Sequence, residues 1–248
     1  MVRYQAILAY DGTQFQGFQR QKNARTVQHV IEKALRALGW NGKTILAAGR
    51  TDAGVHASGQ VIAFDMSWPH AIGDLLAALN ANLPVDVAVR HIHSMPGDFH
   101  PRYAALARKY RYRLVCDKVR QPLRERYAWR VWPEVSLALL QAVAGLIVGT
   151  HDFGSFGAPY RPGGGTVREV TLATWYADGP ELVFEIVGNA FLYHMVRRMV
   201  FFMVKVGQGR LQPESALDYL ERENLPRIQG LAPPQGLFLV EVIYPSDG

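Results

Sequence analysis

Cysteine is nearly absent: Cys116 stands alone in 248 residues, which rules out an internal disulfide and a cysteine-rich metal centre. It falls in a strand-like run, where an unpaired cysteine reads as a small core residue. Long apolar runs are missing too. The two longest, 137–148 and 199–204, fall short of the roughly 20 residues a membrane-spanning helix needs, so no membrane partner is expected. The amino-terminal apolar run is too brief for a secretory signal and reaches Asp11 without a cleavage-like site, leaving the cytoplasm as the expected address. Metal chemistry has little support: His91 and His93 share a strand face, but no third ligand at a defined spacing accompanies them, and no metal is expected. Ser/His/Asp and Cys/His hydrolase arrangements leave no local trace, and Asp52 has no nearby acid to complete a glycosidase pair.

What is present is a globular composition, 49% hydrophobic, enough for one large domain or two lobes. The formal charge of +6 is concentrated. Residues 102–130 carry 10 Lys or Arg against 2 acids, an excess of +8, so the rest of the chain sums to −2. Tyr103, Tyr110, Tyr112, Tyr127, Trp129 and Trp132 are interleaved with those cations, a mixture suited to phosphate contacts with base stacking. A solvated basic face is the simpler alternative.

Periodicity predicts an α+β chain. The first half reads as a strand at 4–10, a helix that Thr26 caps and Gly39 ends, strands at 44–48 and 59–65, a helix at 72–81 and a strand at 85–92. The second half reads as a strand at 109–116, a helix at 137–148, strands at 167–176 and 181–187, a helix at 190–206, an inserted helix at 213–222 and a strand at 236–243. The repeated order predicts two βαββαβ-like lobes, 1–103 and 104–248, whose sheets join around a central cleft. The segment 156–166, with Gly163, Gly164 and Gly165 in a row, lacks the lysine and helix start of a phosphate-binding loop. It reads as a flexible RNA contact through Arg161 or as a linker.

Four segments carry candidate chemistry. Gly49-Arg50-Thr51-Asp52-Ala53-Gly54-Val55-His56-Ala57 sets an acid beside a guanidinium between two strands, with Gly49 and Gly54 free to take positive φ or to pass close to a ligand. A surface turn in which Asp52 caps an amide reads equally well from these residues. The strand from Lys109 alternates, placing Tyr110 and Tyr112 inward and Lys109, Arg111 and Arg113 on the other face. In the helix predicted from Ala190, His194, Arg198 and Lys205 form one stripe, while Arg197 is displaced toward Tyr193, Val200 and Val204. On that apolar face Arg197 either needs a carboxylate partner or snorkels to water. His151-Asp152-Phe153 reads as a helix-terminal cap or as support for a site.

The nonapeptide resembles the signature of the A-type tRNA pseudouridine synthases. Lys109-Tyr110-Arg111-Tyr112, Gly149-Thr150-His151-Asp152-Phe153, Asn189-Ala190-Phe191-Leu192-Tyr193-His194-Met195-Val196-Arg197 and Gly236-Leu237-Phe238-Leu239 resemble further family segments in family order. One departure is Phe201-Phe202, where the family pattern implies a glycine. The resemblance implies an isomerase that converts uridines 38, 39 and 40 of the tRNA anticodon stem-loop to pseudouridine, without a cofactor and as a homodimer. Asp52 is implied to be catalytic, Tyr110 to stack on the target base and Arg197 to pair with Asp52. Arg50 is placed to reach the RNA backbone or to fill the space left by a flipped base. Attack at C1′, attack at C6 and a glycal route all remain open. A non-catalytic RNA-binding protein and a nucleosidase are the rival readings.

Overall fold

A computed structural model describes residues 1–221 and 226–245. It divides into two compact units, one formed by Met1–Leu106 with the segment from Phe238 on, the other by Ala107–Leu237.

The first unit runs β1 (Val2–Tyr10), α1 (Val27–Ala37), β2 (Leu46–Ala47), β3 (His56–Met66), α2 (Ile72–Asn82) and β4 (Val87–Met95), the order the periodicity predicts. β1 lies between β3 and β4, antiparallel to both, with Tyr4 opposite Phe64 and Ser94. β2 pairs with β3 through Leu46 and Ala63. The last strand, β10 (Leu237–Ile243), pairs in parallel with β3 at Phe238 opposite His56. α2 is fastened to β4 by Asn80, whose amide donates to Val89 O at 2.9 Å and accepts from Val89 N at 2.8 Å.

The second unit holds β5 (Ala107–Cys116), β6 (Trp129–Val131), α3 (Leu137–Ile147), β7 (Gly149–Asp152), β8 (Val167–Asp178), β9 (Glu181–Gly188), α4 (Met195–Gly207) and α5 (Ser215–Glu221). Its strands lie in the order β5-β9-β8-β7, antiparallel, with β6 parallel to β5. The core centres on Trp175, which stacks on Phe184 at 5.1 Å and donates from its indole to Met203 Sδ at 3.0 Å. α3 packs on β8 and α4 through Leu140, Val143 and Ile147.

Several expectations need correcting. The helix predicted from 190 begins at Met195, because Tyr193 forms a backbone bridge with Ala158 and His194 takes a left-handed conformation, φ 66°. His194 therefore precedes the helix, and its ring stacks on Tyr193 at 3.7 Å. The short strands β6 and β7 were not foreseen; each exists by pairing with a longer neighbour. His151 and Asp152 thus lie in a strand, His151 Nε2 being 3.2 Å from Val148 O and Asp152 accepting from Gly154 N at 2.8 Å. The inserted helix is α5, and the predicted end at Arg222 lies outside the described residues. Phe201 and Phe202 are accommodated: Phe201 stacks on Trp129 under Lys205 Nζ, and Phe202 is buried against Phe156 and Tyr219.

Candidate active site

The loop between β2 and β3 is held along its backbone. Ala48 N donates to Val61 O at 2.9 Å, the Gln60 amide to Gly49 O at 3.1 Å, Phe18 N to Thr51 O at 3.0 Å and Gly54 N to Phe15 O at 3.2 Å. Val55 N closes a turn on Asp52 O at 3.2 Å. Thr51 is buried with its Oγ1 2.8 Å from the Tyr10 hydroxyl. Asp52, next in sequence, is half-buried, and Arg50 is exposed. The backbone that carries both charged residues is thus fixed, so a group presented from it needs little reordering. His56 and Ala57, the end of the signature, belong to β3, so the loop is shorter than the motif.

The support comes from a segment that sequence reasoning passed over, Gly12 to Phe18. A Cβ on Gly12 would lie 2.0 Å from Val55 O, so only glycine allows this approach, and Gly12 N donates to His56 Nδ1 at 3.0 Å. Gly17, at φ 88°, lies where a Cβ would be 3.0 Å from Thr51 O. The same stretch caps α1. Gly17 O and Phe18 O accept from Val27 N and Gln28 N, two of the donors a helix start leaves open. Thr26 occupies the N-cap position with extended backbone, but its side chain makes no cap bond, contrary to expectation. Of the two signature glycines only Gly54 has positive φ, 76°. Two glycines bracketing Phe15 between a strand and a helix were the signal available in the sequence.

Tyr110 and Arg197 belong to the second unit. Tyr110 lies opposite Ile186 on β5, half-buried, with its ring edge-on to Phe191 at 5.1 Å. Tyr112 is fully buried and donates to Pro233 O at 2.7 Å, the core role expected of it. Burial pushes its phenol well above the ordinary tyrosine value, against the pull of the Arg197 charge. Arg197 is 9% exposed, so it does not snorkel to water. Its Nε donates to Ala232 O at 2.7 Å, and Ala232 N returns a bond to Arg197 O. Burial and the neighbouring charges of Arg227 and Arg197 depress the Arg198 guanidinium, so this part of the unit gathers positive charge.

The basic segment divides in two. Lys109 and Arg111 both meet Glu185, each at 2.7 Å, and Arg113 grips Glu181 at 2.6 and 2.9 Å. The strand cations are therefore already matched by acids on β9, which the local charge count could not reveal. Cys116 ends β5 as a half-buried free thiol, raised by burial. His91 and His93 stack at 6.4 Å on β4; among the described residues no group of three or more His, Cys, Asp or Glu is placed to hold a metal ion. No helix among them is long and apolar enough to cross a membrane.

A family model described as tRNA pseudouridine synthase matches residues 6–104 and 143–245. The tRNA pseudouridine synthase A of Limosilactobacillus fermentum is 39% identical over 251 residues, covering 99% of this chain and 97% of the relative. That of Streptococcus equi subsp. equi is 42% identical over 247 residues, covering 98% and 99%. A solved chain of a Cbf5-Nop10-Gar1 complex aligns with 81% of this chain and 45% of its own length, at 12% identity and a TM-score of 0.37, too distant a likeness to bear on the site. With the family model matching residues in both units, and relatives of such identity aligning over nearly their whole length, this chain belongs to the tRNA pseudouridine synthase family.

Proposed function

We propose that the chain converts uridine to pseudouridine at positions 38, 39 and 40 of the tRNA anticodon stem-loop, with Asp52 as the catalytic carboxylate. The observation that carries this reading is the placement of Asp52: a half-buried acid in the signature of a tRNA pseudouridine synthase, on a loop anchored through Ala48, Gly49, Thr51 and Gly54. The reaction breaks the bond from ribose C1′ to uracil N1, turns the base and joins C1′ to C5. N1 gains a proton and C5 releases one, so atoms and charge balance without an oxidant or a cofactor. Asp52 begins it by attack at C1′ or C6, or by removing a ribose proton.

Tyr110 stacks on the target base, a role suited to a half-buried ring already braced edge-on by Phe191. Arg197, buried and held at Nε by Ala232 O, is the cation that the family resemblance pairs with Asp52, keeping the carboxylate ready for reaction. Arg50, exposed in the same loop, takes an RNA phosphate or fills the gap left by the flipped base. The working enzyme is a cytoplasmic homodimer.

The test is tritium release from tRNA carrying 5-labelled uridine, with free uracil assayed in parallel and the product mapped by position. Release confined to 38–40 without free base supports the isomerase, whereas free uracil would make the chain a nucleosidase. Asp52→Asn should retain tRNA binding and lose release, because the amide keeps the shape but cannot act as a nucleophile or base.

A further inference from the structure

The strand half of the basic segment is balanced by Glu181 and Glu185, and the loop that follows β5 carries further cations. Its own two acids are engaged within the loop. Asp117 accepts from Val119 N at 2.8 Å and from the Gln121 amide. Glu125 accepts from Gln121 N at 2.5 Å and from Arg130 Nε at 3.0 Å, while Arg130 Nη1 reaches Asp117 O at 3.2 Å. Backbone bonds from Arg124, Glu125 and Tyr127 to Gln121 O and Arg124 O complete the brace. Lys118, Arg120 and Arg124 are exposed, with Val119 and Leu123 between them at 69% and 92% exposure. The result is a braced arm that carries these three exposed cations, its two acids being engaged in the brace.

We propose that residues 117–127 form an arm that docks on the phosphodiester backbone of the tRNA, separately from the site that receives the target nucleotide. The inference rests on the tRNA reading above. RNA supplies the complementary charge, and exposed cations spaced along the arm suit successive phosphates. A second copy of this chain is a poorer fit, since a two-fold contact would set the same cations against one another. The arm begins after Cys116, at the far end of β5 from Tyr110, about 20 Å away at ~3.3 Å per residue. That separation suits a contact that adds affinity without touching the reacting base.

The experiment compares the full chain with a Lys118→Gln, Arg120→Gln, Arg124→Gln triple variant, using unmodified tRNA transcript over a series of salt concentrations. None of the bracing side chains is altered, so the urea midpoint should be unchanged. The slope of log Kd against log salt should fall by about 2, at roughly 0.7 to 0.9 for each phosphate no longer neutralised, while tritium release at saturating tRNA stays within about two-fold. Arg120→Lys with Arg124→Lys should keep the wild-type slope. An unchanged slope in the triple variant overturns the proposal; if its sedimentation also shifts toward monomer, the arm is a contact between copies of the chain. Salt-dependent tRNA binding by a wild-type protein that releases no tritium would sink the isomerase reading and leave the arm standing.

Discussion

The Tyr10 hydroxyl lies 2.8 Å from Thr51 Oγ1 with both residues buried, so the end of β1 holds the residue that immediately precedes Asp52. Burial pushes the Tyr10 phenol up to about 12, against the opposing pull of hydrogen bonds with Thr51 and Gln60. A tyrosine outside the signature thus secures the backbone on which the carboxylate is presented.

Tyr10→Phe should lower stability at pH 8 by about 1 kcal/mol, the usual worth of one buried hydrogen bond. It should lower the rate on bound tRNA more than the affinity. The alkaline behaviour supplies a second readout. Below about pH 10 the phenol is neutral in both folded and unfolded chains; between about 10 and 12 only the unfolded chain ionises, so this contribution to stability is lost as pH rises. Tyr112 acts with the same sign, so urea midpoints measured from pH 8 to 11 should fall less steeply in Tyr10→Phe than in wild type without becoming flat.

Gly12→Ala should be more damaging than Gly49→Ala, although only Gly49 is in the signature. A Cβ on Gly12 meets Val55 O at 2.0 Å, whereas one on Gly49 meets nothing within 4 Å at an ordinary φ. The Gly12 variant should lose about 2 kcal/mol or more and most of its turnover as the loop shifts. The Gly49 variant should stay close to wild type in both thermal unfolding and tritium release.

The contrast between these glycines shows what the sequence could and could not disclose. Strands and helices with strong periodicity, such as β5 with its alternating tyrosines and arginines, were legible because each residue's face depends only on its neighbours. The start of α4 was not, because Ala190 to Tyr193 continue a helical pattern that is overruled by pairing with Ala158. The same limit hid the Glu185 partners of Lys109 and Arg111, which lie on another strand. Asp52 was legible as a motif, but its anchoring by Tyr10, Phe15 and Phe18 depends on contacts distant in the chain.

Glu185→Gln tests the pairing on β5. Burial raises the Glu185 carboxyl, but hydrogen bonds from Lys109 and Arg111, with their charges, outweigh it and hold the group below the ordinary glutamate range. The stabilisation is therefore present above about pH 4.3, the unfolded value, and is lost as pH falls through the lower folded value. The variant should be less stable than wild type at pH 7 by about 1 kcal/mol, with partly exposed partners keeping the effect small. The gap should narrow by pH 3, as read from urea midpoints. Lys109→Gln and Arg111→Gln should likewise change stability more than the salt slope of tRNA binding, the reverse of what the local charge excess alone predicts.

Arg197 separates structural from catalytic roles. Arg197→Met keeps much of the apolar stem, but it removes the Nε bond to Ala232 O and leaves that carbonyl in a buried position, at a cost of about 1 to 2 kcal/mol. Loss of the charge proposed to face Asp52 should add a fall of at least about 100-fold in single-turnover rate, with tRNA affinity little changed, because the interaction belongs to the reacting centre. Arg197→Lys restores a positive charge and a donor but not the planar fork, so it should recover stability more fully than rate. The comparison is made at a temperature where urea titration shows all three proteins folded. A methionine variant that then turns over at the wild-type rate would make Arg197 a packing residue whose work ends at Ala232, and would leave Asp52 to be supported by another cation.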